Sequence, residues 1–123
     1  MTSNFFGAWT LESYETLHAD GTVARLLGDK PIGLFSFHES GYFAVQLGKE
    51  TGPGFTSFFG TADMPEGETG TIILKGLGGS NENAVLNHQV RNFTFMEPGL
   101  LRMRPPKTAE GAQSTIMWRR TGG

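Results

Sequence analysis

Ile32-Gly33-Leu34-Phe35-Ser36-Phe37 and Tyr42-Phe43-Ala44-Val45-Gln46-Leu47 flank Glu39-Ser40-Gly41, with His38 at the junction. Aromatic and β-branched residues of this kind suit a pleated, half-buried surface. Gly41 is able to take the positive-φ position of a short hairpin loop. The stretch therefore reads as a β-hairpin, the clearest in the chain. Its loop length decides which side chains share a face, because a shift of one residue exchanges the two faces of a strand. A four-residue loop groups Phe35 and Phe37 with Tyr42, Ala44 and Gln46. A three-residue loop with a glycine bulge pairs His38 with Tyr42 and groups Phe35 and Phe37 with Phe43, Val45 and Leu47. Under the first pairing, Tyr42 and Gln46 are hydrogen-bonding groups on the aromatic face.

The same period of two extends outward from this hairpin. Trp9, Leu11 and Ser13 alternate with Thr10, Glu12 and Tyr14, as in a strand with two distinct faces. Asp20-Gly21 marks a turn, and residues 22–27 form a second, weaker strand. Beyond the hairpin come a loop over 48–54, a strand over 55–62 and a polar turn at 63–67. A short β-branched strand follows over 71–75, then a Gly-, Ser- and Asn-rich loop over 76–83. A long strand covers 85–95, Glu97-Pro98-Gly99 turns the chain into a strand over 100–104, and the last strand covers 114–120. About nine short, regularly spaced strands and no helix define one all-β domain over 1–123, a sandwich or an up-and-down barrel.

Composition agrees and excludes much else. The chain holds 18 Gly and 6 Pro, residues that disfavour helix interiors, and 10 Phe and 2 Trp to build a core. Ten basic against 12 acidic residues give a net charge of −2, and no basic run exists, so no nucleic-acid partner is expected. With no Cys there are no disulfides, thiolate nucleophiles or Cys-ligated metals. His18, His38 and His88 are scattered, so no metal site is expected either. Gly-x-Ser-x-Gly does not occur. Gly76-Leu77-Gly78-Gly79-Ser80 has neither a Gly-Lys-Ser/Thr nor a following helix, so it reads as a hairpin loop rather than a phosphate cradle. No apolar run reaches membrane length, so no membrane partner is expected. The first residues lack both the positive region and the apolar core of a signal peptide. A cytoplasmic protein is the expectation.

The long strand carries the sharpest functional hint. Asn87, Gln89, Arg91, Phe93 and Phe95 share one face, and the Phe pair marks that face as inward. Arg91 then points inward too. A buried guanidinium is costly unless paired or hydrated. Either it sits near a rim on loop carbonyls, or its fork reaches an oxygen anion or carbonyl of a ligand.

Gly7-Ala8-Trp9, Asp20-Gly21, Pro31 to Phe37, Gly41 to Leu47, Val90-Arg91-Asn92-Phe93, Leu101-Arg102-Met103 and Trp118-Arg119-Arg120 follow one another in an order that resembles the bacterial and fungal lipocalin-like domain family. Phe37 stands where that family usually has Tyr, and the stretch from Gly48 to Gly70 is shorter than the family's. The resemblance implies an antiparallel lipocalin-like, calycin-type barrel of about eight to ten strands around a central cavity. It further implies that Trp9 plugs one end, with the terminal strands adjacent. Trp9 and Leu11 share a face of the first strand, and Ile116, Trp118 and Arg120 share a face of the last, so if the two strands pair, Arg120 can lie across the Trp9 ring.

In such a barrel the core and the ligand lining are the same positions. Phe35, Phe37, Phe58, Gln89, Phe93, Phe95 and Met103 are the expected lining, and small inward residues (Ser13, Ala44, Gly60) would leave space. Arg91, Tyr42 and Gln46 are the candidate catalytic groups. The expected function is capture of a small, mostly apolar molecule derived from polyketide, terpenoid or fatty-acid chemistry. Related barrels include allene oxide cyclases and spiro-ring-forming cyclases, so the resemblance implies a cofactor-free cyclase or isomerase of secondary metabolism, pericyclic ring formation included. A non-catalytic carrier is the alternative. An apolar outer face or an open barrel edge would support a homodimer.

Overall fold

The computed structural model describes residues 4–49, 55–80 and 88–122. Nine strands follow in chain order: β1 (Gly7–Leu17), β2 (Val23–Ala24), β3 (Ile32–Phe37), β4 (Tyr42–Gly48), β5 (Thr56–Thr61), β6 (Thr69–Gly79), β7 (Gln89–Glu97), β8 (Leu100–Arg104) and β9 (Gln113–Gly122). Apart from β2, each pairs antiparallel with its neighbours, and β1 pairs with both β3 and β9. Eight strands thus close into a barrel, which removes the open edges that invite aggregation. β2 is an additional short strand on the far end of β1, through Thr16↔Ala24 and Leu17↔Val23.

The β3–β4 hairpin takes the three-residue loop. The His38 amide donates to the Tyr42 carbonyl at 2.9 Å and the Gly41 amide to the His38 carbonyl at 2.9 Å, with Gly41 at φ 91°. Phe37 faces Phe43 and Phe35 faces Val45, and all four are buried. Tyr42, Ala44 and Gln46 consequently stand on the outer face. The positive-φ glycine supplies the extra residue that sets this parity.

β1 departs from simple alternation. Leu11 pairs with Trp118, Ser13 with Met117 and Tyr14 with Ile116, so Glu12 is an extra residue without a counterpart. This bulge inverts the faces beyond it. Tyr14 and Thr16 join Trp9 and Leu11 on the inside, and Ser13 turns outward.

β6 is longer than the sequence implies. It runs on through the glycine-rich stretch expected to be a loop, as far as Gly79. The reason is steric. At Gly60 a Cβ would lie 1.9 Å from the Lys75 carbonyl oxygen, and at Gly78 one would lie 2.6 Å from the Phe59 ring. The glycines let β5 and β6 pass closer than side chains permit, across a bulge at Phe59/Gly60. The space expected from small inward residues is therefore corrected: Ser13 and Ala44 face out, and the gap at Gly60 is taken by backbone. Most of the expected 48–54 loop, and residues 85–87 of the expected 85–95 strand with Asn87 among them, lie outside the described residues.

The core is aromatic. Phe5, just before β1, is fully buried, and its ring centroid lies 5.2 Å from Phe37, 4.8 Å from Phe93 and 5.0 Å from Phe95. Phe35 stacks on Phe37 at 4.3 Å and meets Trp118 edge-on at 5.2 Å. Aromatic pairs at these separations add about 0.5 to 1.5 kcal/mol each beyond their buried area.

Candidate functional site

One end of the barrel is closed. The Trp9 indole donates to the Phe5 carbonyl at 2.9 Å, and the Arg120 guanidinium lies 4.2 Å from the Trp9 ring centroid. Arg120 also donates to the carbonyls of Asn4 and Phe6, so the segment before β1 is held across that end. Phe35, Phe37, Phe93, Leu101 and Trp118 fill the interior next to it, all nearly inaccessible. Phe95 is partly buried against this packing. Phe35, Phe37, Phe93 and Phe95 from the expected lining thus belong to a packed floor. Met103, paired with Phe93 and Ile116, is buried above them, and Phe58 is buried edge-on to Phe43.

The far halves of β1, β7 and β9 carry the polar interior groups. Gln89 and Arg91 alternate with Val90 on β7 and pair with Leu74 and Ile72, both buried on the inner face of β6. Gln89 and Arg91 therefore point inward, half-buried. Tyr14 stands opposite Ile116, and the Thr16 hydroxyl meets the Ser114 hydroxyl at 2.8 Å. This end of the barrel, its mouth, holds an inward guanidinium, an amide, a phenol and two hydroxyls beyond the aromatic floor.

Arg91 is the charged member. Its Nη1 donates to the Val90 carbonyl at 2.9 Å and its Nη2 to Gln89 Oε1 at 3.4 Å. Among the described residues no carboxylate pairs with it. Burial pulls its pKa below the usual guanidinium range, and the Tyr14 phenol acts in the opposite direction. Neutral acceptors alone hold a partly desolvated cation, so an oxygen anion entering the mouth would meet an uncompensated charge. A second polar group lies deeper. The Trp118 indole N–H is buried without a hydrogen-bond partner among the described residues, an arrangement that costs about 1 to 3 kcal/mol.

Of the three candidate catalytic residues, the barrel brings only Arg91 inside. Tyr42 and Gln46 are corrected: the glycine bulge of the hairpin places both on the outer wall, with Tyr42 half exposed. His38 and His88 are exposed, and no group of three or more metal-ligating side chains occurs among the described residues. Tyr14 escapes simple alternation, whereas Trp118 follows it, on one face with the buried Ile116. Tyr14 is hidden by the β1 bulge, for which the sequence carries no local signal. Trp118 has the family's closing Trp-x-Arg pattern, but nothing in that pattern announces an unpaired N–H.

The barrel thus has closed strands, a packed plug at one end and inward polar groups toward the other. The lipocalin-like domain model matches residues 6–70, more than half of the chain, and the protein belongs to that family. A lipocalin-like barrel fits small-molecule binding. A de novo designed fluorescence-activating β-barrel is a similar solved structure, at 12% identity and a TM-score of 0.48, covering 98% of this chain and 100% of that one. No curated protein matches the chain. No helix among the described residues is long and apolar enough to cross a membrane.

Proposed function

We propose that the barrel mouth binds a small, mostly apolar organic molecule bearing an oxygen anion or a polarised carbonyl, and that Arg91 takes this oxygen. The observation that carries the reading is the inward Arg91 guanidinium with no carboxylate partner among the described residues. The aromatic floor receives the apolar body, and the Arg91 fork binds a planar oxygen pair bidentately. A flexible acyl chain held against that floor is folded on itself, which lowers the entropy lost on ring closure.

The catalytic form of this reading is a cofactor-free isomerase or cyclase. Arg91 would stabilise negative charge developing on a carbonyl oxygen, as an enolate or a polarised dienophile. Tyr14, placed inward by the bulge, would donate a proton or a hydrogen bond to the same oxygen. A non-catalytic carrier uses the same contacts without turnover.

Native mass spectrometry and calorimetric titration with decanoate and decanol test the binding reading. Decanoate binds wild type more tightly than decanol, and Arg91→Gln removes the difference, a loss of about 1.5 to 3 kcal/mol, or roughly 10- to 150-fold. Equal affinity for acid and alcohol in wild type would overturn it. Turnover of an activated polyene ketone by wild type, but not by Arg91→Gln, separates the enzyme from the carrier.

A further inference from the structure

The outer wall carries a second cationic feature that the barrel interior does not use. Arg102 and Arg104 alternate along β8 with Leu101 and Met103, both buried inside, so the two guanidiniums leave the outer face together. Alternate residues of a strand lie about 6.5 to 7 Å apart at Cα, and two arginine side chains at that spacing close readily on one small group. They sit in a shallow groove of about 440 Å³ shared with Thr71, Asn92, Thr94 and Gln113.

Comparison with the other arginines sets this pair apart. The chain has six. Arg25 pairs with Glu15 at 2.9 Å and Asp29 at 3.7 Å, and Arg119 with Glu12 at 3.3 Å and Glu97 at 3.9 Å. Arg120 clasps Trp9 and the segment before β1, and Arg91 is inside the barrel. Arg102 and Arg104 have no carboxylate partner among the described residues. Each is held by a hydroxyl instead: Arg102 Nη2 donates to Thr94 Oγ1 at 3.5 Å and Arg104 Nε to Thr115 Oγ1 at 3.1 Å. One N–H of each fork is thereby used, and the fork is steadied with its remaining donors unengaged among the described residues. Asn92 completes the arrangement. Its Oδ1 accepts from Thr71 Oγ1 at 3.1 Å, which leaves its two amide N–H groups to the groove. No acidic side chain lines the groove among the described residues.

Two steadied guanidiniums and an amide, offered without a counter-charge, define an oxyanion receptor. We propose that this outer groove binds a phosphate monoester, separately from the apolar molecule in the barrel mouth. A phosphomonoester carries about 1.5 to 2 negative charges and three acceptor oxygens, matching two forks and an amide. A carboxylate brings one charge and two oxygens and satisfies only part of the donor set. The phosphate belongs either to a soluble ester or to a phosphatidate headgroup, since the recognising chemistry is shared.

Titration calorimetry with phenyl phosphate and with benzoate, at low salt, tests the site. Phenyl phosphate binds wild type and the charge-matched control K30Q/K75Q, whose lysines are exposed and outside the groove. R102Q/R104Q binds it at least about tenfold more weakly, since each fork supplies a charge-assisted hydrogen bond worth that factor or more. Benzoate binds wild type more weakly than phenyl phosphate. Sedimentation with phosphatidylcholine vesicles, with and without phosphatidate, identifies the source. Phosphatidate-dependent sedimentation lost in R102Q/R104Q supports the site and assigns the lipid headgroup. Binding of phenyl phosphate without sedimentation supports the site and assigns a soluble ester. The proposal is overturned if neither probe binds wild type, if R102Q/R104Q binds as wild type does, or if K30Q/K75Q loses as much affinity as R102Q/R104Q.

Discussion

Trp9 and Arg120 are direct cross-strand partners on β1 and β9, and the guanidinium carbon of Arg120 lies 4.2 Å from the indole centroid. The pair joins the first strand to the last and ties the segment containing Phe5 to both. A cation–π contact shielded from water is worth about 2 kcal/mol, and each charge-assisted bond to a carbonyl about 1.5 to 3 kcal/mol. Arg120→Met keeps most of the apolar stem while removing all three interactions. Its expected loss is about 2 to 4 kcal/mol in denaturant unfolding. A loss under about 0.5 kcal/mol, within the range of ordinary surface changes, would show that the clasp contributes nothing.

The two tryptophans respond differently to the same change. Replacing either by Phe removes an N–H and some ring volume. At Trp9 the N–H donates to the Phe5 carbonyl, and its removal costs that buried hydrogen bond. At Trp118 the N–H has no partner among the described residues, so removing it relieves a penalty. Trp9→Phe is therefore expected to cost about 1 to 3 kcal/mol more than Trp118→Phe in equilibrium unfolding. Equal losses would mean that the Trp118 N–H is satisfied in solution.

Arg91→Met removes a charge held inside by neutral acceptors alone. The stability of the ligand-free protein should stay level or rise, by up to about 2 kcal/mol, as when unpaired buried charges are replaced by apolar groups of similar volume. Affinity for a carboxylate-bearing ligand should fall at the same time. A drop in melting temperature of several degrees would identify Arg91 as a structural element of the wall.

Gly60→Ala places a methyl group against the Lys75 carbonyl oxygen, at 1.9 Å in the unrelaxed backbone. Backbone on the other side has no rotamer to escape into, so strand β6 must shift. The expected loss exceeds about 2 kcal/mol, at the upper end of overpacking changes. The Gly21→Ala change at the exposed turn, with open space around its Cβ position but φ of 90°, should be milder. A Gly60→Ala protein as stable as wild type would show that β6 moves freely at this bulge.

The architecture was largely legible in the sequence, because alternation of apolar residues and turn signals are local. The strands around Phe35, Phe58, Phe93 and Met103 lie where the alternation puts them, and β7 turns the same face inward that its Phe pair indicates. What alternation misses are insertions that shift parity. Gly41 moved Tyr42 and Gln46 to the outside, and Glu12 brought Tyr14 to the inside. Both bulges are settled by pairing with a neighbour, and for β1 the neighbour that defines the bulge is β9, at the other end of the chain. The glycines over 76–79 mislead for a related reason. They look like loop residues, but they serve close approach to β5, which only the folded pairing reveals.

The seam between β1 and β9 has a kinetic meaning. Its partners lie about as far apart in sequence as the chain allows, Ala8 against Gly122 and Leu17 against Gln113. Contacts of such long range slow folding, because loop-closure entropy is lost before they form. Tyr14 acquires its inward orientation through this same seam, since the Glu12 bulge exists only against Met117 and Trp118. A nascent or partly folded chain can build the meander from β3 to β8, with Arg91 in it, and still lack half of its polar mouth. Completion of the site is thus coupled to closure of the β1–β9 seam, so that only molecules with a sealed wall present Arg91 and Tyr14 to a common interior.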